Sequence, residues 1–328
     1  MKRTLLLFAA VLVALTLSAQ TINRLDVELR GDWQYENLDG NSILGNSGFD
    51  GKFFNFRMDG SLLENLSYSI RYRAQKVQAD PFAATDWATL TYSTDKWDFS
   101  AGKQVVAIGG YEYDRAPIDI YFASEYWHQI ACYQFGASAT YKGSNNTRIT
   151  AQICRSPYDY MRENLYAYNL MWTDKWDDCL TILHSFNVLE YAPNKFVEYV
   201  ALGHLFELGR VAIEFDYMER IDHECLDGIN ASTMLDLKWK MNEKFHFFAH
   251  GSYDVNKSTS VADLTVMPGT EMWRMGGGVE YFPFGNKKVR FHAATAYAFG
   301  KQTNLLGGGL LDDHLMVQFG LTWRINLF

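Results

Sequence analysis

Residues 24–36 alternate without a fault. Leu25, Val27, Leu29, Gly31, Trp33 and Tyr35 take one parity, and Arg24, Asp26, Glu28, Arg30, Asp32, Gln34 and Glu36 the other. A period of two is that of a strand, because a helix repeats its faces about every 3.6 residues. One face of this strand is apolar and the other is charged and must meet water. The chain ends the same way: Leu315, Val317, Phe319, Leu321, Trp323, Ile325 and Leu327 share a face, and only Phe328 breaks the parity.

The pattern recurs in sixteen segments, near 24–36, 51–60, 66–76, 86–93, 97–106, 129–141, 147–156, 165–173, 179–188, 196–205, 210–220, 231–240, 245–254, 272–282, 288–299 and 314–327. Strands this closely spaced suit a transmembrane barrel, which needs about 9–11 residues per crossing. Short turns (Ser93 to Lys96, Gly143 to Asn146, Met241 to Lys244, Pro283 to Asn286) alternate with longer loops (Asn37 to Asp50, Ala107 to His128, Val255 to Glu271, Gly300 to Asp313). Short turns belong on the periplasmic side and long loops outside. The expected fold is all-β: a transmembrane antiparallel β-barrel in the bacterial outer membrane, in contact with its lipid.

Composition agrees. Mean hydropathy is -0.20 and no apolar run is long enough for a membrane helix; a barrel tolerates this because only every second residue meets lipid. The aromatic content of 16% fits girdles at the two membrane interfaces. Residues 1–19 read as a signal peptide. Lys2 and Arg3 precede an apolar stretch from Leu5 to Leu17, and Leu17-Ser18-Ala19 offers a cleavage point. Residues 20–328 are then one barrel domain. The formal charge of -8, without a basic block, argues against nucleic acid as a partner. Cys132, Cys154, Cys179 and Cys225 fit no zinc spacing; a bridge between Cys132 and Cys154 is conceivable, but free cysteines are the expectation. His184, His204, His246, His250 and His292 are scattered over separate strands, so neither a metal site nor a cofactor is expected. His184 and Ser185 are neighbours on a strand and point to opposite faces, so they cannot act as a catalytic pair.

The longest loop follows the fifth segment and carries Glu112, Asp114, Asp119 and Glu125 against Arg115. In sixteen-stranded porins the third external loop folds inward and narrows the channel, and by count this is that loop; an ordinary external loop is the alternative. Arg30, Arg57, Arg71 and Arg73 lie at polar parity on the first three strands. A basic residue on the lipid face at the midplane would cost about 2–4 kcal/mol, so these four are expected in the lumen. Two readings stand. Either they neutralise Asp26, Glu28 and Asp32, or they form a basic wall facing the acidic loop and set a transverse field. The pore-lining residues on the second reading are Arg30, Arg57, Arg71, Arg73, Lys103, Glu112, Asp114, Arg115 and Asp119.

The stretch Ala101-Gly102-Lys103-Gln104-Val105-Val106-Ala107-Ile108-Gly109-Gly110-Tyr111-Glu112-Tyr113 resembles the segment entering the third loop of the phosphate-selective porin O and P family. Leu90, Tyr92, Trp97 and Phe99 fit the hairpin before it. The resemblance implies a sixteen-stranded passive channel for small hydrophilic solutes or ions, often a homotrimer, whose best-known members bind phosphate through Arg and Lys. This chain is acidic and has no dense Lys/Arg ladder. The competing functions are an outer-membrane enzyme, a lipid hydrolase or protease, and a structural or secretion-accessory barrel.

Overall fold

The structure is a computed structural model that describes residues 21–75, 82–144, 146–161, 163–221, 228–258, 262–303 and 309–328. The expected signal peptide lies outside these. Sixteen long strands follow in order: β1 (Thr21–Leu38), β2 (Gly48–Leu63), β3 (Leu66–Arg73), β4 (Thr85–Ser93), β5 (Trp97–Val105), β6 (Tyr133–Lys142), β7 (Arg148–Arg155), β8 (Tyr166–Trp176), β9 (Leu180–Ala192), β10 (Lys195–Leu208), β11 (Val211–Ile221), β12 (Asn230–Lys240), β13 (Phe245–Asn256), β14 (Glu271–Tyr281), β15 (Val289–Gln302) and β16 (Gly309–Asn326). Each alternating segment of the sequence is one of them. A two-residue strand, Asn41–Ser42, also pairs with the end of β1.

Every strand pairs antiparallel with the next. The ring closes where β1 meets β16, from Asp26 opposite Asn326 to Leu38 opposite His314. Closure leaves no sheet edge, which is what a strand fold needs in hydrocarbon. Among the described residues no helix is long and apolar enough to cross a membrane.

Alternation sorts the side chains as the sequence requires. Asp26, Glu28, Arg30, Asp32, Gln34 and Glu36 are buried inside. Leu90, Phe99, Phe135, Leu170, Phe215, Phe247, Phe291 and Phe319 are exposed on the outside. Trp97, Trp176 and Trp239 sit at strand ends beside the short turns, as girdle residues do. His184 and His204 lie on the outer face between Trp172 and Phe215, with their Nε2 atoms 3.3 Å apart.

One connection departs from the expected long-short rhythm. β9 and β10 are joined on the external side by only Pro193 and Asn194, and Asn194 turns the chain with a φ of 60°. Asn tolerates the left-handed region, so two residues suffice. Cys132, Cys154 and Cys179 are free thiols, as expected; Cys225 lies outside the described residues.

Candidate functional site: the occupied lumen

Loop 3, residues 106–132, leaves β5 and enters the barrel. Ala107 accepts a bond from Asn187 at 2.8 Å, and the Gly109 N–H donates to Ser185 Oγ at 2.8 Å. Gly110 has φ 100° and lies against Gly203 of β10, where a Cβ would come within 2.9 Å of the Gly110 Cα. Two glycines face to face let the loop backbone lie flat on the wall.

A short helix follows, α1 (Tyr111–Asp114). Its first N–H groups, on Tyr111 and Glu112, donate to the Asp216 carboxylate of β11 at 2.8 and 2.7 Å. A wall carboxylate thereby satisfies amides that the helix itself cannot. Arg115 pairs with Glu214 and, at 3.3 Å, with Asp236. Glu112 is buried, accepts from the Ser124 N–H and O–H, and lies 3.5 Å from His250 Nε2. Burial pushes its carboxyl up, and His250 and Ser124 offset only part of this. Asp114 remains exposed.

The loop then crosses to the last and first strands. Arg30 donates to the carbonyls of Ile118 at 3.2 Å and Ile120 at 2.6 Å. Asp119 meets Arg290 at 2.7 Å and Arg324 at 2.8 Å. Burial raises the Asp119 carboxyl, but the two guanidiniums outweigh it and hold it at about 2. Tyr121 donates to Glu280 at 2.6 Å, stacks on Phe248 at 5.0 Å and lies beneath Arg30 at 4.8 Å. Phe122 occupies the space left by Gly276, where a Cβ would come within 2.7 Å of its ring. Gly276 thereby admits a loop side chain into the wall. A second helix, α2 (Glu125–Gln129), is capped by Ser124 and donates its first N–H to Asp254 at 2.9 Å. The loop then returns to β6.

The expectation of an inward-folded third loop therefore holds, while the expected partners change. Asp119 faces Arg290 and Arg324 of β15 and β16, not the arginines of β2 and β3. Arg30 holds the loop, but through carbonyls. The other three pair with wall acids: Arg57 with Asp59 at 2.9 Å, Arg71 with Glu28 at 3.2 Å, and Arg73 with Asp86 at 2.6 Å. Arg57 and Arg71 also lie over the Trp87 ring, at 5.7 and 5.2 Å. Neutralisation between neighbours thus describes these three better than a wall opposite an acidic loop. Lys103 requires a correction. It sits opposite outward Phe135, while its neighbour Gln104 is buried and bonded to Ser138; its amine reaches the Phe82 carbonyl at 2.7 Å. It stands on the outer face because strand parity, which the loop motif obscured, places it there.

Below loop 3 a cavity of about 270 Å³ remains on the side of the short turns. Arg115, Asp119, Lys238, Lys240, Lys287 and Arg324 are among its lining residues. Asp216, Asp254, Arg290, Arg324 and Glu280 were missed as site residues, although each stands at inward parity within an otherwise apolar or aromatic run. Loop 3 is not alone inside. Tyr158 and Leu165 of loop 4 (residues 156–165) and Ala262 and Val266 of loop 7 (residues 257–270) are buried, most of them against Tyr126, Leu189, Val197 and Tyr199.

The comparisons bear on the family and the fold. The family described as Phosphate-selective porin O and P matches residues 25–185. No curated protein matches the sequence. Among solved structures, the anion-selective porin from Comamonas acidovorans is similar at a TM-score of 0.68 and 10% identity, covering 93% of this chain and 100% of that one. The outer membrane channel DcaP of Acinetobacter baumannii gives 0.67 at 13% identity, covering 93% and 97%. OmpT of Vibrio cholerae, an outer membrane protein solved in a trimer form, gives 0.63 at 13%, covering 94% and 100%. At such identities these likenesses speak to the fold alone. The family match, the closed barrel and the inward loop together identify the protein as an outer-membrane porin, a channel for passive diffusion, related to the phosphate-selective porin O and P family through residues 25–185.

Proposed function

We propose that this porin is weakly selective, sorting small hydrophilic solutes by size more than by charge. The observation that carries the reading is the pairing of the lumen ions. Arg30 meets Asp32 at 2.7 Å, Arg71 meets Glu28, Arg73 meets Asp86, Arg115 meets Asp236, and Asp119 meets two arginines. Opposite charges within hydrogen-bond reach act on a passing ion as short dipoles, whose field falls faster than that of a lone charge. Loop 3, with Arg115 beside Asp236 and Asp119 beside Arg290 and Arg324, narrows the lumen on this reading.

The chain catalyses no reaction on this reading. Ser185 is buried in the lumen and donates to Asn187 at 2.7 Å, whereas His184 is on the outer face. Residues 1–19 serve for export and are removed, and the working assembly is a homotrimer, the state recorded for one similar structure.

Purified protein in a planar bilayer should open steps of conductance. Under a tenfold salt gradient its reversal potential should stay close to zero. A protein that never opens defeats the channel, and a reversal potential near the ideal value for either ion defeats weak selectivity. Released fatty acid or cleaved peptide on incubation with phospholipid or protein would defeat the non-enzymatic reading.

A further inference from the structure

Residues 262–270 of loop 7 are held in the outer mouth by a buried ion pair. Asp263 is 1% exposed and Arg220, on β11, is 2% exposed. Asp263 Oδ2 meets Arg220 Nε at 2.6 Å. The other carboxylate oxygen accepts from the Tyr158 O–H at 3.0 Å, the Thr265 N–H at 2.8 Å and the Thr265 O–H at 2.6 Å. Arg220 also donates to Asn230 at 3.0 Å and Ser232 at 2.9 Å, and its guanidinium lies over the Tyr126 ring at 5.8 Å. One buried cation thus touches the wall, loop 7 and the second helix of loop 3. Beside the pair, Val266 is wholly buried in the apolar cluster.

Loop 3 has its own anchors. Ser185, Asp216, Asp254, Arg290 and Arg324 hold it from the wall and use no atom of loop 7. Loop 3 therefore keeps wall anchors of its own, although Arg220 and the apolar cluster also join the two loops. Loop 7 joins β13 to β14 at their external ends and shares an apolar cluster with Tyr126 and Ile130 of loop 3.

We propose that Asp263 and Arg220 latch loop 7 as a second barrier, in series with loop 3, which sets the size limit at the outer mouth. Both are positioning residues, since neither needs to touch the solute. The proposal rests on the channel reading above.

The full-length protein is tested in liposomes and planar bilayers as wild type, Asp263→Ala and Val266→Lys. The second variant forces a charge into the apolar cluster and expels the loop by another route. Folding is checked by the heat-dependent shift of the barrel on gels, and loop release by limited proteolysis. Release in both variants should raise conductance about twofold or more and admit a trisaccharide that wild type excludes. A released loop with unchanged conductance and sugar exclusion overturns the barrier. A loop that stays protected in Asp263→Ala overturns the latch. Should wild type itself fail to conduct, the channel reading falls, an outcome distinct from either of these.

Discussion

The lumen wall on β1–β4 and the outer end of the wall on β7–β11 meet the same demand in opposite ways. On β1–β4 the inward side chains are ions paired along and across strands: Arg30 with Asp32, Arg71 with Glu28, Arg73 with Asp86. Such a wall satisfies itself, because each charge has its partner within it, even where the pair is as buried as Arg30 and Asp32. On β7–β11 the inward side chains near the external end include Ala167, Leu189, Val197, Tyr199, Ala201 and Met218, all buried. An apolar residue that faces a lumen must be covered or pay for its hydration. Loops 3, 4 and 7 cover these, forming a small hydrophobic core inside a channel. Inward apolar parity therefore marks where loops fold in.

That contrast has measurable consequences. Arg220→Ala should cost most, about 3–5 kcal/mol, because it strands a buried carboxylate on the covered side; the denaturant midpoint of the folded barrel reads it, and a change below 1 kcal/mol would mean the pair is wet. Asp216→Ala should cost about 1–3 kcal/mol, since two amide N–H groups of α1 lose their acceptor. Faster hydrogen exchange at Tyr111 and Glu112 would report the same loss locally.

Acid should act next. The folded Asp119 carboxyl sits near 2, below its ordinary value of 3.8. Its contribution to loop docking is complete above about pH 4 and is lost as pH falls through 2. Conductance should hold steady from pH 7 to 5 and change only at the acid end; a step at neutral pH would point to another group. Arg57→Ala should matter least, within about 1 kcal/mol, because its pair with Asp59 is partly exposed. A large loss there would erase the distinction between the two walls.

Most of the cylinder was legible from sequence. All sixteen strands follow from alternation alone, because a membrane on one side and water on the other impose a period of two. The inward third loop was legible through its length, its position and its resemblance to known porins. Its partners were not, because Asp119 and Arg290 are far apart in sequence and only the closed ring brings them together. Parity could have reassigned Lys103, since Gln104 beside it takes the inward place. The covered outer mouth was also readable in part: Val197, Tyr199 and Ala201 occupy the inward parity of β10, a lapse from polar alternation that an open channel would not tolerate. What lay beyond reach was which loop covers them, since loops 4 and 7 carry no local signal that they fold inward.

β5 and β6 pair directly from Trp97 opposite Tyr141 to Val105 opposite Tyr133. The departure and return points of loop 3 therefore stand side by side on adjacent strands. The cylinder is held by hairpin pairing, and the filter hangs from it as a detachable insert. Such a layout separates durability from permeability, so that replacing one insert could retune what passes while the container around it keeps its shape.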